Sequence, residues 1–216
     1  MTKDKFWKLF WLLFGGMMLI GCAAATSLFL VNTREGDLLA AVGAEYREGN
    51  DPFQAPIVGA AGETVTLEDG YLYRNTLPLR FQSWTWRAVP NWHSSEKSSE
   101  GGYAIQVLFR EAGGMAGISG PPITLTNERS ITLAINPDSN VGDLFLRLYD
   151  AKGNPIGMQS LGWYTPQGML VPDTWQSVTI PLENLEVAPS KTITGFSISS
   201  KNVGTAYIDS VRLVAS

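Results

Sequence analysis

The chain has a long apolar stretch from Leu9 to Val31, which reads LFWLLFGGMMLIGCAAATSLFLV and holds no charged residue. A helix of about 20 residues, rising about 1.5 Å per residue, crosses the ~30 Å hydrocarbon core of a bilayer. This stretch is therefore long enough to span a membrane once. Lys3, Lys5 and Lys8 precede it, and the positive-inside rule places such a short basic end in the cytoplasm. The sequence thus predicts a single-pass anchor in a bacterial cell membrane, with the remaining residues on the periplasmic or extracellular side.

The same stretch contains Leu19-Ile20-Gly21-Cys22, which resembles a bacterial lipobox. In that motif a signal peptide is cut before the cysteine, so Cys22 would become a lipid-bearing N-terminus. The residues from Ala23 to Val31 stay apolar, which favours an uncleaved transmembrane helix over the polar tether typical of a lipoprotein. Residues 1–31 are interpreted as a signal-anchor helix or, alternatively, a lipoprotein signal, and both place the following domain outside the membrane.

The part of the chain beyond Val31 is long enough for one domain with a sizeable core. It holds thirteen lysines and arginines against nineteen aspartates and glutamates, a formal charge of −6. This acidic balance, without a basic cluster, argues against binding of nucleic acid. Cys22 is the only cysteine, so no disulfide is expected in the domain. We expect residues 32–70 to form a linker or spacer and residues 71–216 to form the domain.

Short segments with period-two alternation, separated by turn residues, begin near Tyr71 and continue to the end of the chain. In one of them Leu144, Leu146 and Leu148 share a face, while Phe145, Arg147 and Tyr149 share the opposite face. Other alternating segments are Tyr103–Arg110, Ile131–Ile135, Trp175–Leu182, Ile193–Ser199 and Ala206–Val214. Such alternation, with turns every ~8–12 residues, is typical of an antiparallel β-sandwich. The predicted fold class is therefore all-β, with one N-terminal transmembrane helix.

Several motifs in this region resemble those of the galactose-binding-domain-like jelly rolls found among carbohydrate-binding modules. The resemblance covers about Tyr71–Ala215 and rests on the segments Tyr71–Leu77, Ser83–Trp86, Gly101–Ile105, Leu146–Gly153, Thr174–Leu182, Ile193–Phe196 and Ala206–Val211. It implies two antiparallel sheets, a concave face and often, in that family, a structural Ca²⁺.

The possible calcium site is where this chain departs from the family pattern. The acidic pair usual near the first strand is replaced by Arg74-Asn75. Asn75 and Asp209 could still supply oxygen ligands, but Ca²⁺ takes six to eight oxygens, several of them anionic. Arg74 adds a positive charge at the same place. A structural Ca²⁺ is therefore an open expectation, and no other cofactor is indicated.

The sequence does not suggest an enzyme. His93 is the only histidine, so no Cys/His metal cluster can form, and nothing places a serine and an aspartate beside it as in a catalytic triad. Sugar binding instead needs flat rings and planar hydrogen-bonding groups. The candidate ligand-binding residues of this kind are Trp84, Trp86, Trp92, Arg147, Tyr149, Trp163 and Tyr164.

Two functions remain open from the sequence. The first is a membrane-anchored, non-catalytic carbohydrate-binding-like module whose partner is a glycan. The second is a structural accessory subunit that caps the outer face of a larger membrane-protein complex. Gly21 and Ala25 support the second, because small residues at i and i+4 let transmembrane helices pack closely.

Overall fold

The computed structural model describes residues 45–46, 54–56 and 64–215. Among these residues, no helix has the length and apolar character needed to cross a bilayer. The predicted anchor 1–31, including Gly21, Cys22 and Ala25, lies outside the described residues.

The described residues form twelve β-strands and three short 3-10 helices. The strands are β1 Glu45–Tyr46, β2 Tyr71–Tyr73, β3 Gln82–Trp86, β4 Ala88–Ser94, β5 Ala104–Phe109, β6 Met115–Thr124, β7 Glu128–Pro137, β8 Leu144–Asp150, β9 Pro155–Ser160, β10 Gln176–Pro181, β11 Thr192–Ser200 and β12 Gly204–Ala215. The 3-10 helices are Glu68–Gly70, Leu161–Tyr164 and Leu182–Leu185.

The strands pair into two sheets. Sheet A has the order β1-β3-β6-β11-β8-β9, and sheet B has the order β10-β7-β12-β5-β4. β5 pairs with β12 along Gly204–Ile208, and β2 pairs with the same strand farther on, at Val211 and Arg212. All of these pairs are antiparallel except β1 with β3. The predicted all-β antiparallel sandwich is confirmed.

The core lies between the two sheets, and the alternation of the sequence places the side chains there. In β8, Leu144, Leu146 and Leu148 are fully buried, whereas the intervening Phe145 and Arg147 are only partly buried on the outer face. Ile131, Leu133 and Ile135 of β7 do the same for sheet B. Successive side chains of a strand point to opposite faces, so the assignment of Arg147 and Tyr149 to the outer face of sheet A is also correct.

The β8–β9 hairpin turns at Asp150–Asn154. Gly153 has φ +77°, which a glycine adopts without strain. The Asp150 carboxylate accepts hydrogen bonds from the main-chain N–H groups of Lys152 (2.8 Å) and Asn154 (2.9 Å). Burial raises the pKa of Asp150, but these hydrogen bonds outweigh it and leave the pKa below its usual value.

Pro121 and Pro122 lie inside β6. The β6–β11 pairing slips between Ile193 and Gly195, and such a bulge tolerates a missing N–H. Within the predicted spacer 32–70, some of the described residues pair with the sandwich. β1 pairs with β3, and the Val65 N–H donates to the Pro122 carbonyl at 3.1 Å.

Candidate functional site

The outer face of sheet A brings together four of the predicted ligand residues: Trp84, Trp86, Arg147 and Tyr149. Trp84 in β3 and Tyr149 in β8 are separated by two strands, yet their ring centroids are 5.4 Å apart in an edge-to-face arrangement. The residues between them, including Gly117 and Ser197, are small, which lets the two side chains meet across the sheet. A Cβ atom on Gly117 would come within 2.7 Å of the Trp84 ring.

Tyr149 and Trp84 are nevertheless buried on this face. Tyr149 has no exposed surface and Trp84 is 5% exposed. Ala55 packs on them together with Met115, and the Ala55 N–H donates to the Gly153 carbonyl at 2.9 Å. The chain thus covers its own aromatic pair with the segment 54–56, which we call the strap. Neither ring presents a face to a ligand in this arrangement.

Polar contacts also fix the buried Tyr149. Its hydroxyl lies 2.8 Å from Ser197 Oγ and 3.6 Å from Met115 Sδ. Arg147, one row along the same face, is only partly buried, and its Nη2 donates to Met158 Sδ at 3.1 Å. Arg147 is therefore partly accessible on this face, whereas Tyr149 is fully buried beneath the strap.

A more accessible row runs along the end of sheet A. Trp86 of β3 and Phe145 of β8 share it, because Trp86 pairs with Met115, Met115 pairs with Ser199, and Ser199 pairs with Phe145. Three strand spacings of about 4.8 Å separate them by ~14 Å. A cationic side chain lies over each ring. Arg87 Cζ is 5.4 Å from the centroid of the Trp86 ring, and Lys201 Nζ is 4.8 Å from the centroid of the Phe145 ring.

Phe145 was not among the predicted ligand residues, although the alternation that located Arg147 and Tyr149 located it too. It extends the row toward Ser160, its partner in β9. The first 3-10 helix after β9 starts at Leu161, and a 3-10 helix rises about 2 Å per residue. The main chain of Trp163 is therefore within ~6 Å of Ser160. We call Trp86, Phe145 and Trp163 the aromatic strip.

Trp163 is the most exposed aromatic side chain among the described residues, at 73%. The loop that holds it is well fixed, because Thr165 Oγ1 lies 2.9 Å from the Gly162 carbonyl oxygen and 2.8 Å from that of Met169. Tyr164 beside it has a different role. Its side chain packs against the core and its hydroxyl accepts a hydrogen bond from Asn184 Nδ2 at 2.9 Å.

Trp92 does not lie on a ligand surface, contrary to the sequence-based prediction. It belongs to β4 of sheet B and is 4% exposed within the main core. Its ring packs against Tyr73, whose hydroxyl donates to the Trp92 carbonyl at 2.7 Å. Burial, followed by the negative charge of Asp209, raises the pKa of Tyr73, so the phenol remains a neutral donor. The side chains of β4 alternate between buried and exposed, but the residues Pro90–Ser94 are of types that are common in loops, so the sequence pattern does not identify this strand.

The residues at the possible calcium site do not fit a cation. Asp209 is 2% exposed, and its Oδ2 accepts hydrogen bonds from Ser98 Oγ (3.0 Å), Ser99 N (2.9 Å) and Ser99 Oγ (2.9 Å). Its Oδ1 accepts from Ser210 N at 2.8 Å. Asn75 Oδ1 accepts from the Tyr103 N–H at 2.8 Å. Within the described part of the chain, no three His, Cys, Asp or Glu residues cluster as metal ligands.

The outer face of sheet B is occupied by the segment that supplies Ser98 and Ser99. Glu96 Oε2 accepts hydrogen bonds from the Tyr207 hydroxyl (2.7 Å) and from Gln106 Nε2 (2.6 Å). Burial and the Glu96 hydrogen bond raise the pKa of Tyr207. Lys97 forms an ion pair with Asp173 at 3.0 Å. The sole histidine, His93, is exposed and packs edge-on against Tyr103, 5.9 Å away.

The strand pairing defines the chain as a two-sheet, antiparallel β-sandwich. No protein-family model and no curated protein matches the sequence. One similar solved structure is a mutant of the family 29 carbohydrate-binding module CBM29-2, with TM-score 0.46 and 11% identity over 66% of this chain and 89% of that one. Another mutant of that module, complexed with mannohexaose, has TM-score 0.44 and 13% identity over 65% and 86%. A third structure concerns the promiscuous specificity of carbohydrate-binding modules from the β-sandwich superfamily, with TM-score 0.41 and 17% identity over 68% and 59%.

Proposed function

We propose that the sandwich is a non-catalytic carbohydrate-binding module held on the outer side of a bacterial membrane by residues 1–31. The observation that carries the proposal is the aromatic strip, in which Trp86 and Phe145 share one row of sheet A and Trp163 follows shortly after its last strand. Trp163 is mostly exposed, and Trp86 and Phe145 are partly so. A protein gains nothing in stability from exposing a tryptophan on a fixed loop, whereas a binding surface gains a large, rigid contact area.

Sugars suit this surface because their C–H faces stack on rings while their hydroxyl groups need hydrogen-bond partners. Arg147 lies in the next row of the same face and carries planar donors. Lys201 and Arg87 rest on the Phe145 and Trp86 rings and can move aside, since both are exposed. The strap covers the part of the face around Trp84 and Tyr149, so an oligosaccharide chain would bind at the end of the face that holds Trp86 and Phe145.

The test is binding of the full-length protein, in a non-ionic detergent, to an array of neutral glucans and mannans. We expect Trp163→Ala to weaken the binding about tenfold, equivalent to ~1.4 kcal/mol for one lost stacking contact. Since the ring is 73% exposed, its removal should change the free energy of unfolding by no more than ~0.5 kcal/mol. Tyr103→Ala is the matched control, because Tyr103 is 46% exposed but precedes β5 of sheet B.

Absence of binding to every glycan tested would refute the proposal, as would equal losses in the Trp163 and Tyr103 variants. The anchoring part is tested separately by mass spectrometry of the native N-terminus. An intact start at Met1 or Thr2 supports the signal-anchor helix, and a diacylglyceryl group on an N-terminal Cys22 supports the lipoprotein alternative.

A second candidate function, an accessory subunit capping a membrane-protein complex, is favoured by the same loop. Met169 is 62% exposed and is fixed with Trp163 by the Thr165 hydrogen bonds. Two large apolar side chains on one rigid loop also suit a protein interface. A complex of constant stoichiometry isolated from native membranes, lost in Trp163→Glu, combined with no glycan binding, would favour this function.

A further inference from the structure

A second surface, on sheet B, is built around Tyr71 in β2. The Arg74 Cζ atom lies 4.9 Å from the centroid of the Tyr71 ring, and the Arg212 Cζ atom lies 5.2 Å from it. Tyr71 also separates two grooves. Arg74 lines one of about 550 Å³, and Arg212 lines the other, of about 390 Å³. Tyr71 therefore lines both grooves, and each groove has one arginine beside the Tyr71 ring.

Both guanidinium groups are exposed and retain hydrogen-bonding capacity. Arg212 donates through Nε to the Asp69 carbonyl at 2.7 Å, which leaves its terminal NH₂ groups available. No residue in the described part of the chain accepts a hydrogen bond from Arg74. Within those residues the ion pairs are Arg87–Glu111 and Lys97–Asp173, so neither Arg74 nor Arg212 faces a carboxylate at ion-pair distance.

The positions of both arginines are set by the fold. Arg74 precedes Asn75, whose φ of +59° forms a tight turn closed by the Thr76 N–H to Arg74 carbonyl bond of 2.7 Å. The Tyr103 N–H bond to Asn75 Oδ1 ties this turn to the start of β5. Stacking on a ring orients a guanidinium without consuming its N–H groups, and its planar fork matches a carboxylate in two-point contact.

We propose that Arg74 and Arg212 bind the carboxylate groups of an acidic, uronate-containing polysaccharide that crosses Tyr71 from one groove to the other. Thr66 lines the first groove beside apolar residues such as Leu77, and Ser177 and Trp175 line the second groove. Glu68 lines the first groove and Glu100 lines the second, and their carboxylates would repel a ligand with a uniformly anionic surface. A flexible chain can instead place separate carboxylates on the two arginines. This site goes beyond the aromatic strip and uses none of its residues.

The experiment compares binding of the full-length protein to polygalacturonate and to the same polymer with its carboxyl groups methyl-esterified. We expect at least tenfold weaker binding of the ester and about tenfold weaker binding of polygalacturonate by Arg74→Ala and by Arg212→Ala, with a decrease as salt rises. Arg74→Lys and Arg212→Lys keep the charge but lose the fork, so they should recover only part of the affinity. Arg129→Ala is the control, because that exposed arginine lines a different groove.

Several outcomes would overturn the inference: equal binding of acid and ester, wild-type affinity in both alanine variants, or the same loss in Arg129→Ala. Arginine-dependent binding of phosphatidylglycerol vesicles without binding of polygalacturonate would overturn the assignment to carbohydrate. Thermal melts of every variant test whether it is folded, and the lysine variants are expected to be folded. If the protein binds neutral glycans through Trp163 but does not bind polygalacturonate, this inference alone is refuted. If it binds polygalacturonate through the two arginines but binds no neutral glycan, only the role of the aromatic strip is refuted.

Discussion

Replacing Asp209 by asparagine tests whether hydrogen bonds, and not a metal ion, satisfy this buried carboxylate. The two side chains have nearly the same shape, so the change removes the charge and one acceptor without opening a cavity. The structure places one main-chain N–H against each carboxylate oxygen, from Ser99 at 2.9 Å and from Ser210 at 2.8 Å. Either orientation of the asparagine amide therefore sets its NH₂ group against an N–H that cannot rotate away.

The expected cost follows from that geometry. A hydrogen bond to a charged group contributes ~1.5–3 kcal/mol, and a buried donor left without an acceptor costs ~1–3 kcal/mol. Ser98 and Ser99 can turn their hydroxyl groups to accept from the amide and recover part of this. We expect Asp209→Asn to lower the free energy of unfolding by about 3 kcal/mol. For a domain of this size, that corresponds to a fall in Tm of roughly 6–12 °C.

Thermal unfolding followed by circular dichroism, with and without Ca²⁺ and with EDTA, measures both effects. Asp143→Asn is the matched control, because Asp143 is exposed, and its Tm should equal that of the wild type. Ca²⁺ and EDTA should leave the wild-type Tm unchanged. The reasoning fails if Asp209→Asn melts with the wild type. It also fails if Ca²⁺ raises the wild-type Tm in a saturable way that Asp209→Asn abolishes, since a bound ion stabilises by mass action.

Two further changes test other parts of the structure. Gly117→Ala sets a Cβ atom 2.7 Å from the Trp84 ring and should lower the free energy of unfolding by ~1–3 kcal/mol, measured by denaturant unfolding. The double variant with Trp84→Leu should lose less than the sum of the two single losses. Full additivity would show that the Trp84 ring does not cross β6. Asp150 has a lowered pKa, so its charge stabilises the fold above the unfolded-state pKa of about 3.9, and this contribution is lost as the pH falls through the lower folded-state pKa. The stability difference between wild type and Asp150→Asn should therefore narrow below about pH 4, and a constant difference would contradict the hydrogen-bond assignment.

Alternation predicted the strands whose side chains divide cleanly between core and solvent, such as β8, where the leucines are buried and Arg147 is not. It could not predict β6, because Gly117, Gly120, Pro121 and Pro122 are residues that usually mark turns. They are tolerated there for two reasons that lie elsewhere in the chain. Trp84 needs a small residue beneath it, and the bulge in the β6–β11 pairing removes the need for an N–H.

The candidate site shows the same division between local and distant information. Sequence alternation assigned Tyr149 to the outer face correctly, but it could not predict that the strap, nearly a hundred residues earlier, packs over it.

The two outer faces explain where binding is possible on this sandwich. Ala55 covers the centre of sheet A, and Glu96 with Ser99 covers the centre of sheet B by binding Tyr207 and Asp209. An extended ligand therefore cannot use the middle of either sheet without displacing the chain's own segment. In the described part of the chain, open surfaces at the margins include Trp163 after the last strand of sheet A and Tyr71 in the short β2 strand beside β12. If a glycan instead bound at the centre of sheet A, the strap would have to leave, and the buried Trp84 and Tyr149 would become accessible. Binding would then change their fluorescence and hydrogen exchange, whereas binding at Trp163 would leave both rings protected.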